Sequence, residues 1–214
     1  MKNSLIIFSG GMDSTTLLYD FNKQIKLAIS FNYGSKHNMR EIPFAKYHCE
    51  KIGINHIEID LDFINKYFKS NLLQSGSEIP EGHYKDESMK KTVVPFRNGI
   101  MLSIACGIAE SNDLKYVLIA NHAGDHAIYP DCRATFIKSM SEAMAYGTYN
   151  NINILAPYTK IDKRRIALIG KKLDIDYTKT WTCYKGYRKH CGVCGACTER
   201  KEALDGFDKT EYGQ

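Results

Sequence analysis

A chain of 214 residues, 43% apolar and 25% charged, is long enough for one substantial domain with a continuous core. Its 29 Lys and Arg against 24 Asp and Glu leave a net charge of +5, which suits an anionic small substrate or weak nucleic-acid contact and includes no concentrated basic arm. No uninterrupted apolar run approaches the ~18 residues of a membrane span, and the opening four-residue run is shorter than the ~7–15-residue core of a signal peptide. The expectation is a cytoplasmic protein in a reducing compartment.

Residues 5–8 read as a buried strand, 27–31 as a second, and 56–61 alternate as a third should. Ile42, Ala45, Cys49 and Ile52 fall at helical spacing between the second and third. Residues 116–120 and 152–155 supply two more strands, with helical patterns at 98–111 and 132–146. Strands separated by helices argue for βαβ units, so the predicted class is α/β: a doubly wound, mostly parallel sheet covered on both faces. Residues 65–92 break the rhythm with Gly76, Pro80 and Gly82 and are expected to form a long loop or lid. Residues 181–214, rich in Cys, Lys and Gly, read as a metal-binding lobe packed on a domain formed by 1–180.

Ser9-Gly10-Gly11-Met12-Asp13-Ser14 directly follows the first strand and leads into a helical turn beginning at Thr15. Glycines let the backbone approach an anion, and a helix start offers free N–H groups and the positive end of its dipole. Composition alone leaves a plain strand–turn–helix connection equally open. The loop is neither a Walker A sequence nor a dinucleotide fingerprint.

Four of the seven cysteines, Cys183, Cys191, Cys194 and Cys197, have the spacing C-x7-C-x2-C-x2-C. Two interlocked C-x2-C steps bring three thiolates around one ion, and Cys183 closes a tetrahedral set. Structural zinc fits this closed shell, and an iron–sulfur cluster is the rival. The basic Lys185, Arg188, Lys189 and Arg200 nearby would offset the charge of such a centre. His190 is unnecessary as a ligand, and Cys49 and Cys106 belong to apolar helical patterns as core residues. After the fourth strand come Tyr129-Pro130-Asp131-Cys132-Arg133. Asp131 suits the N–H groups of a guanine-like base and Arg133 a carboxylate, while a Pro-containing turn with a helix cap explains the same residues. Lys163, Arg164 and Arg165 read as a solvated basic face.

The segment from Ser9 to Ser14 resembles the SGGxDS signature of the PP-loop ATP pyrophosphatases. Together with Val94-Pro95-Phe96-Arg97-Asn98, Tyr129 to Arg133, and Trp181-Thr182-Cys183-Tyr184 followed by the cysteine triplet, it resembles one family within them, the 7-cyano-7-deazaguanine synthases of the queuosine pathway. Ser35 and Phe96 depart from that family's usual residues.

The resemblance implies ATP-dependent conversion of 7-carboxy-7-deazaguanine and ammonia to the nitrile through an amide, with AMP and pyrophosphate released and Mg²⁺ assisting. It implies a nucleotide-binding set of Phe8, Ser9, Gly10, Gly11, Met12, Asp13, Ser14 and Thr15. Asp13, Ser14 and Arg97 are the catalytic candidates, and Asn98, Tyr129, Asp131 and Arg133 the substrate-binding ones. A simple capped helix start remains the other reading of Arg97 and Asn98. The four cysteines would hold zinc. A homodimer is expected, with no membrane or nucleic-acid partner and ammonia arriving free or from elsewhere, since no glutaminase domain is present. The competing function is a PP-loop enzyme that thiolates or ligates a tRNA base, for which the chain has no spare RNA-binding length.

Overall fold

The computed structural model describes residues 2–213. Its elements run β1 (Ser4–Ile7), α1 (Met12–Asp20), β2 (Ile25–Asn32), α2 (Asn38–Ile52), β3 (Asn55–Asp60), α3 (Asp62–Tyr67), α4 (Arg97–Ser111), β4 (Tyr116–Leu118), α5 (Ala134–Tyr146), β5 (Asn153–Leu155), α6 (Lys163–Lys172) and α7 (Gly195–Ala203). All strand pairings are parallel and the order is β3-β2-β1-β4-β5. The sheet therefore reverses its winding between β1 and β4, the place where open α/β sheets bind ligands beyond the strand ends.

Period-two alternation along β1 feeds two cores. Leu5 packs with Ile29, Val117 and the α4 residues Met101, Leu102 and Ala105. Ile6 and Phe8 pack on the opposite face with Leu17 and Leu18 of α1, Ala45 and Cys49 of α2, and Ile166 of α6. The doubly wound class is thus realised, with every strand end within two residues of that expected. Strand β4 stops at Leu118, two residues early, and leaves Ile119 and Ala120 to line the cleft.

The stretch Glu87–Ser111 is long enough to cross a membrane, and it contains an 18-residue segment of mean hydropathy 1.4, half of which is buried inside the fold. Its helical part, α4, has 15 residues against the ~20 a span requires, and it covers the sheet beside β1 and β4.

Residues 65–92 are not a free lid. Leu72, Leu73 and Ile79 are buried in the main core, and Met89 is buried as well. Lys36 Nζ donates to the carbonyls of Asn71 (2.9 Å), Gly76 (3.1 Å) and Ser77 (2.5 Å). These apolar anchors have no helical or strand period, so periodicity does not reveal them.

The cysteine-rich segment joins the same core: Cys183, Cys191, Cys194 and Cys197 cluster with Trp181 and Ala196 against the sheet-covering residues. Cys49 and Cys106 are core residues as expected.

Candidate active site and metal centre

A cavity of about 230 Å³ opens at the switch point, walled by the β1–α1 loop, the start of α2, the start of α4, the residues after β4, Lys163 of α6 and the Trp181–Tyr184 segment. Phe8, Ser9, Gly11, Met12, Asp13 and Ser14 all line it. Helix α1 begins at Met12, three residues before the expected Thr15, so the signature itself forms the first turn. Gly11 precedes it with no side-chain cap, which leaves first-turn N–H groups for an anion. Ser9 Oγ accepts from Gly11 N (3.1 Å) and lies 3.1 Å from Ser14 Oγ, fixing the loop's curvature.

Two members of the predicted set do not reach the cavity wall. Thr15 is buried within α1. Gly10, at φ +87°, presses on the backbone of α2, where a Cβ would meet Glu41 O and lie 2.8 Å from Ala45 N.

Lys163 is the main correction to the sequence reading. Instead of facing solvent it is nearly buried, 3.2 Å from Asp13 Oδ2 and 2.5 Å from Glu199 Oε2. Asp162 caps α6 by accepting from Arg165 N at 2.7 Å, which makes Lys163 the first helical residue. A cation at a buried helix N-terminus opposes both desolvation and the dipole. Burial works against its charge, but Asp13 and Glu199 prevail and hold its pKa above the ordinary lysine value. His122 lies 3.8 Å from Asp13, 3.5 Å from Asp125 and 3.8 Å from Glu199, completing a network of carboxylates around two basic groups. Asp13 Oδ1 is buried with no hydrogen-bond partner among the described residues.

The opposite wall is aromatic and basic. Arg97 Nη1 donates to Tyr33 OH (3.1 Å), its guanidinium 5.6 Å from that ring. Tyr184 OH lies 3.2 Å from Tyr129 OH, which also bonds Thr92 Oγ1 (3.0 Å). Burial pushes the pKa of Tyr33, Tyr129 and Tyr184 up, so these hydroxyls stay protonated at neutral pH.

Among the predicted substrate residues only Asn98 lines the cavity, and Arg97 stands beside it. Asp131 Oδ2 instead accepts from Asn98 N (2.8 Å), while Asn98 Nδ2 donates to Asp131 O and Cys132 Sγ. The capped-helix reading therefore accounts for Asp131, whose carboxylate fastens the Tyr129–Arg133 segment to the head of α4. Tyr129 lies behind the wall in its hydroxyl chain. Arg133 is exposed and donates through Nε to His126 O (3.0 Å), because its backbone serves as the start of α5.

Sequence reasoning missed Lys163, Glu199, His37, Glu41 and Asn121 in the site. His37 and Glu41 carried a visible signal, an i,i+4 pair opening a helix.

The four cysteines are fully assembled. All four sulfurs lie within 4.8 Å of one another, and Cys191 Sγ is 3.9 Å from Cys197 Sγ. Zn–S bonds of ~2.3 Å in a tetrahedron separate sulfurs by about 3.8 Å, so the spacing fits one ion. Cys191 N and Cys194 N point at Cys183 Sγ and Cys191 Sγ, both at 3.4 Å. Hydrogen bonds from neighbouring thiols hold Cys183 well below the usual thiol range and Cys191 at about 6, and the same contacts drive Cys194 up. Four buried sulfurs so close cannot all ionise without a cation among them. His190 is no ligand; its Nε2 accepts from Thr182 N. Arg200, fully buried, donates to Thr180, Thr182, Thr210 and Tyr177 O.

The sequence profile described as queuosine biosynthesis protein QueC matches residues 3–208. A 7-cyano-7-deazaguanine synthase of Porphyromonas gingivalis is 61% identical over 214 residues, covering 99% of this chain and 97% of its own. One from Desulfotalea psychrophila is 54% identical over 217 residues, with 99% of each chain covered. One from Methanoregula boonei is 46% identical over 203 residues, covering 94% of this chain and 93% of its own. The fold is also that of an NMN synthetase from Francisella tularensis, with a TM-score of 0.53 at 16% identity over 98% of this chain and 79% of the other.

Proposed function

The chain belongs to the family of the queuosine biosynthesis protein QueC, and from that premise we propose how its cleft does the family's work. It is an enzyme that makes 7-cyano-7-deazaguanine (preQ0) in queuosine biosynthesis, and the tRNA-thiolating alternative is not favoured. Within that activity its class is an ATP-dependent carbon–nitrogen ligase acting on 7-carboxy-7-deazaguanine and ammonia.

The observation that carries this reading is the uncapped start of α1 opening into the same cavity as Arg97, Asn98 and Lys163. The α1 N–H groups and Ser14 hold the pyrophosphate of ATP, with Lys163 beside them neutralising charge that develops as it leaves. Asp13, whose buried Oδ1 lacks a partner, is the residue that fits Mg²⁺ arriving with the nucleotide, and that ion would supply further charge neutralisation.

A carboxylate oxygen attacks the α-phosphate, pyrophosphate departs, and ammonia displaces AMP to give the amide. The amide oxygen is then activated in the same way, and its loss with two N–H protons leaves the nitrile. Arg97, with no carboxylate within 4 Å among the described residues, is the cation available to orient the substrate carboxylate.

Zinc bound by Cys183, Cys191, Cys194 and Cys197 would supply a closed structural centre with no position left for substrate. The protein is expected to act in the cytoplasm as a homodimer, which light scattering would check.

Mass spectrometry of a reaction containing the protein, ATP, Mg²⁺, ammonium and 7-carboxy-7-deazaguanine tests the reading. The nitrile with AMP is the expected outcome. ADP instead would overturn the activation chemistry, and absence of both amide and nitrile would overturn the substrate. Unaltered ATP affinity in Asp13→Ala/Ser14→Ala would remove the pyrophosphate role of the loop.

A further inference from the structure

The cavity contains a second polar pair that the account above leaves unused. His37, 4% exposed, sits just before α2, and its Nε2 lies 3.3 Å from Glu41 Oε2 one turn along. A carboxylate can only accept, so it selects the tautomer in which Nε2 carries the proton and Nδ1 the lone pair. That Nδ1 is buried and has no hydrogen-bond partner among the described residues. An unpartnered nitrogen in a buried ring is costly to keep and calls for an explanation.

Its surroundings supply one. Both residues line the cavity. A Cβ built on Gly11 would lie 3.5 Å from Glu41 Oε1, so this carboxylate borders the phosphate loop itself. The carboxylates of Asp13 and Glu199 are engaged by Lys163 and His122, whereas Glu41 has His37 as its ion-pair partner. On its other sides the imidazole meets Tyr184 (ring centroids 5.6 Å apart) and Tyr33 (6.4 Å), with Arg97 beyond Tyr33.

We propose that His37, oriented by Glu41, is the general base that deprotonates the incoming ammonium. The inference rests on the ligase reading above. At neutral pH the nitrogen source is almost wholly ammonium, which has no lone pair to attack with. One proton passes from ammonium to Nδ1. The resulting ammonia forms a bond to the activated carboxyl carbon, and the C–O bond to phosphate breaks with its electron pair leaving on AMP. A further N–H proton passes to water as the adduct collapses to the neutral amide, a step that any amine nucleophile shares. Glu41 stabilises the resulting imidazolium, and the aromatic faces of Tyr33 and Tyr184 suit a small cation beside it.

Hydroxylamine separates this role from a structural one, because it is neutral at pH 7 and needs no deprotonation before it attacks. Amide and hydroxamate are quantified for the zinc-loaded protein with 7-carboxy-7-deazaguanine, ATP and Mg²⁺. In His37→Gln the turnover with ammonium should fall at least about 100-fold while hydroxamate formation stays within about threefold of wild type. Glu41→Gln keeps an acceptor for Nε2–H and so preserves the local fold. It should show the same selectivity with a smaller loss, on the order of 10-fold. Equal losses with both nucleophiles, or no loss with ammonium, would overturn the base assignment and leave the ligase reading intact. Absence of amide and hydroxamate from the wild-type protein would overturn both.

Discussion

Replacing Lys163 with Met keeps much of the side chain's volume and removes its charge. Lys163 Nζ makes two ion pairs, at 3.2 Å to Asp13 and 2.5 Å to Glu199, with its own side chain 10% exposed and theirs 21% and 12%. The variant leaves those carboxylates, with Asp125 nearby, facing His122 as their one basic partner among the described residues. Breaking a buried pair by deleting one partner costs about 3–5 kcal/mol, because the remaining charge stays desolvated. Equilibrium urea unfolding of the zinc-loaded protein should show a loss in that range. The pH dependence has a definite sign. The folded pKa of Lys163 lies above its unfolded value of 10.5, so its contribution is complete below that pH and lost only as pH rises through the folded pKa. The difference between variant and wild type should therefore be flat from pH 7 to pH 9, a range set by that 10.5. A loss below about 1 kcal/mol would refute the reasoning, since exposed ion pairs are worth that little and the cluster would then be fully wet.

Gly10→Ala should cost at least about 2 kcal/mol in the same assay and weaken ATP binding, because its left-handed φ coincides with backbone contact from α2. Gly53→Ala is the control: φ is +66° with nothing within 4 Å, so about 1 kcal/mol is expected. Cys194→Ser should reduce bound zinc, read by atomic absorption, and lower Tm on the order of 10 °C. Asp131→Ala removes the acceptor from Asn98 N and should destabilise by about 1–3 kcal/mol, whereas Asp131→Asn retains an acceptor oxygen and should lose less.

The parallel strands and the phosphate loop were legible because each is a local signal, an apolar run followed by a glycine-rich turn. The cysteine set was legible from spacing alone, since C-x2-C constrains its own geometry. What was hidden depends on long-range contact. Lys163 looks like one of three solvated basic residues until α6 is docked beside α1 and α7, which brings Asp13 and Glu199 to it from 150 and 36 positions away. Asp131 looks like a ligand for a base until the start of α4 arrives with a free N–H. Residues 65–92 look polar because their apolar anchors are few and irregularly spaced, though Leu72 and Leu73 are as buried as any strand residue.

The cysteine-rich segment reaches back to the nucleotide loop: Trp181 N donates to Gly10 O at 3.1 Å, and Gly186 lies against Lys36 O beside His37. A metal bound by the cysteines and a nucleotide bound by the loop would thus each order backbone that the other needs. Two ligands in that position are thermodynamically coupled, and the coupling is reciprocal: whatever factor zinc adds to ATP affinity, ATP adds to zinc affinity. On the ligase reading, zinc depletion would weaken the hold on the nucleotide, and bound nucleotide would slow the escape of the metal.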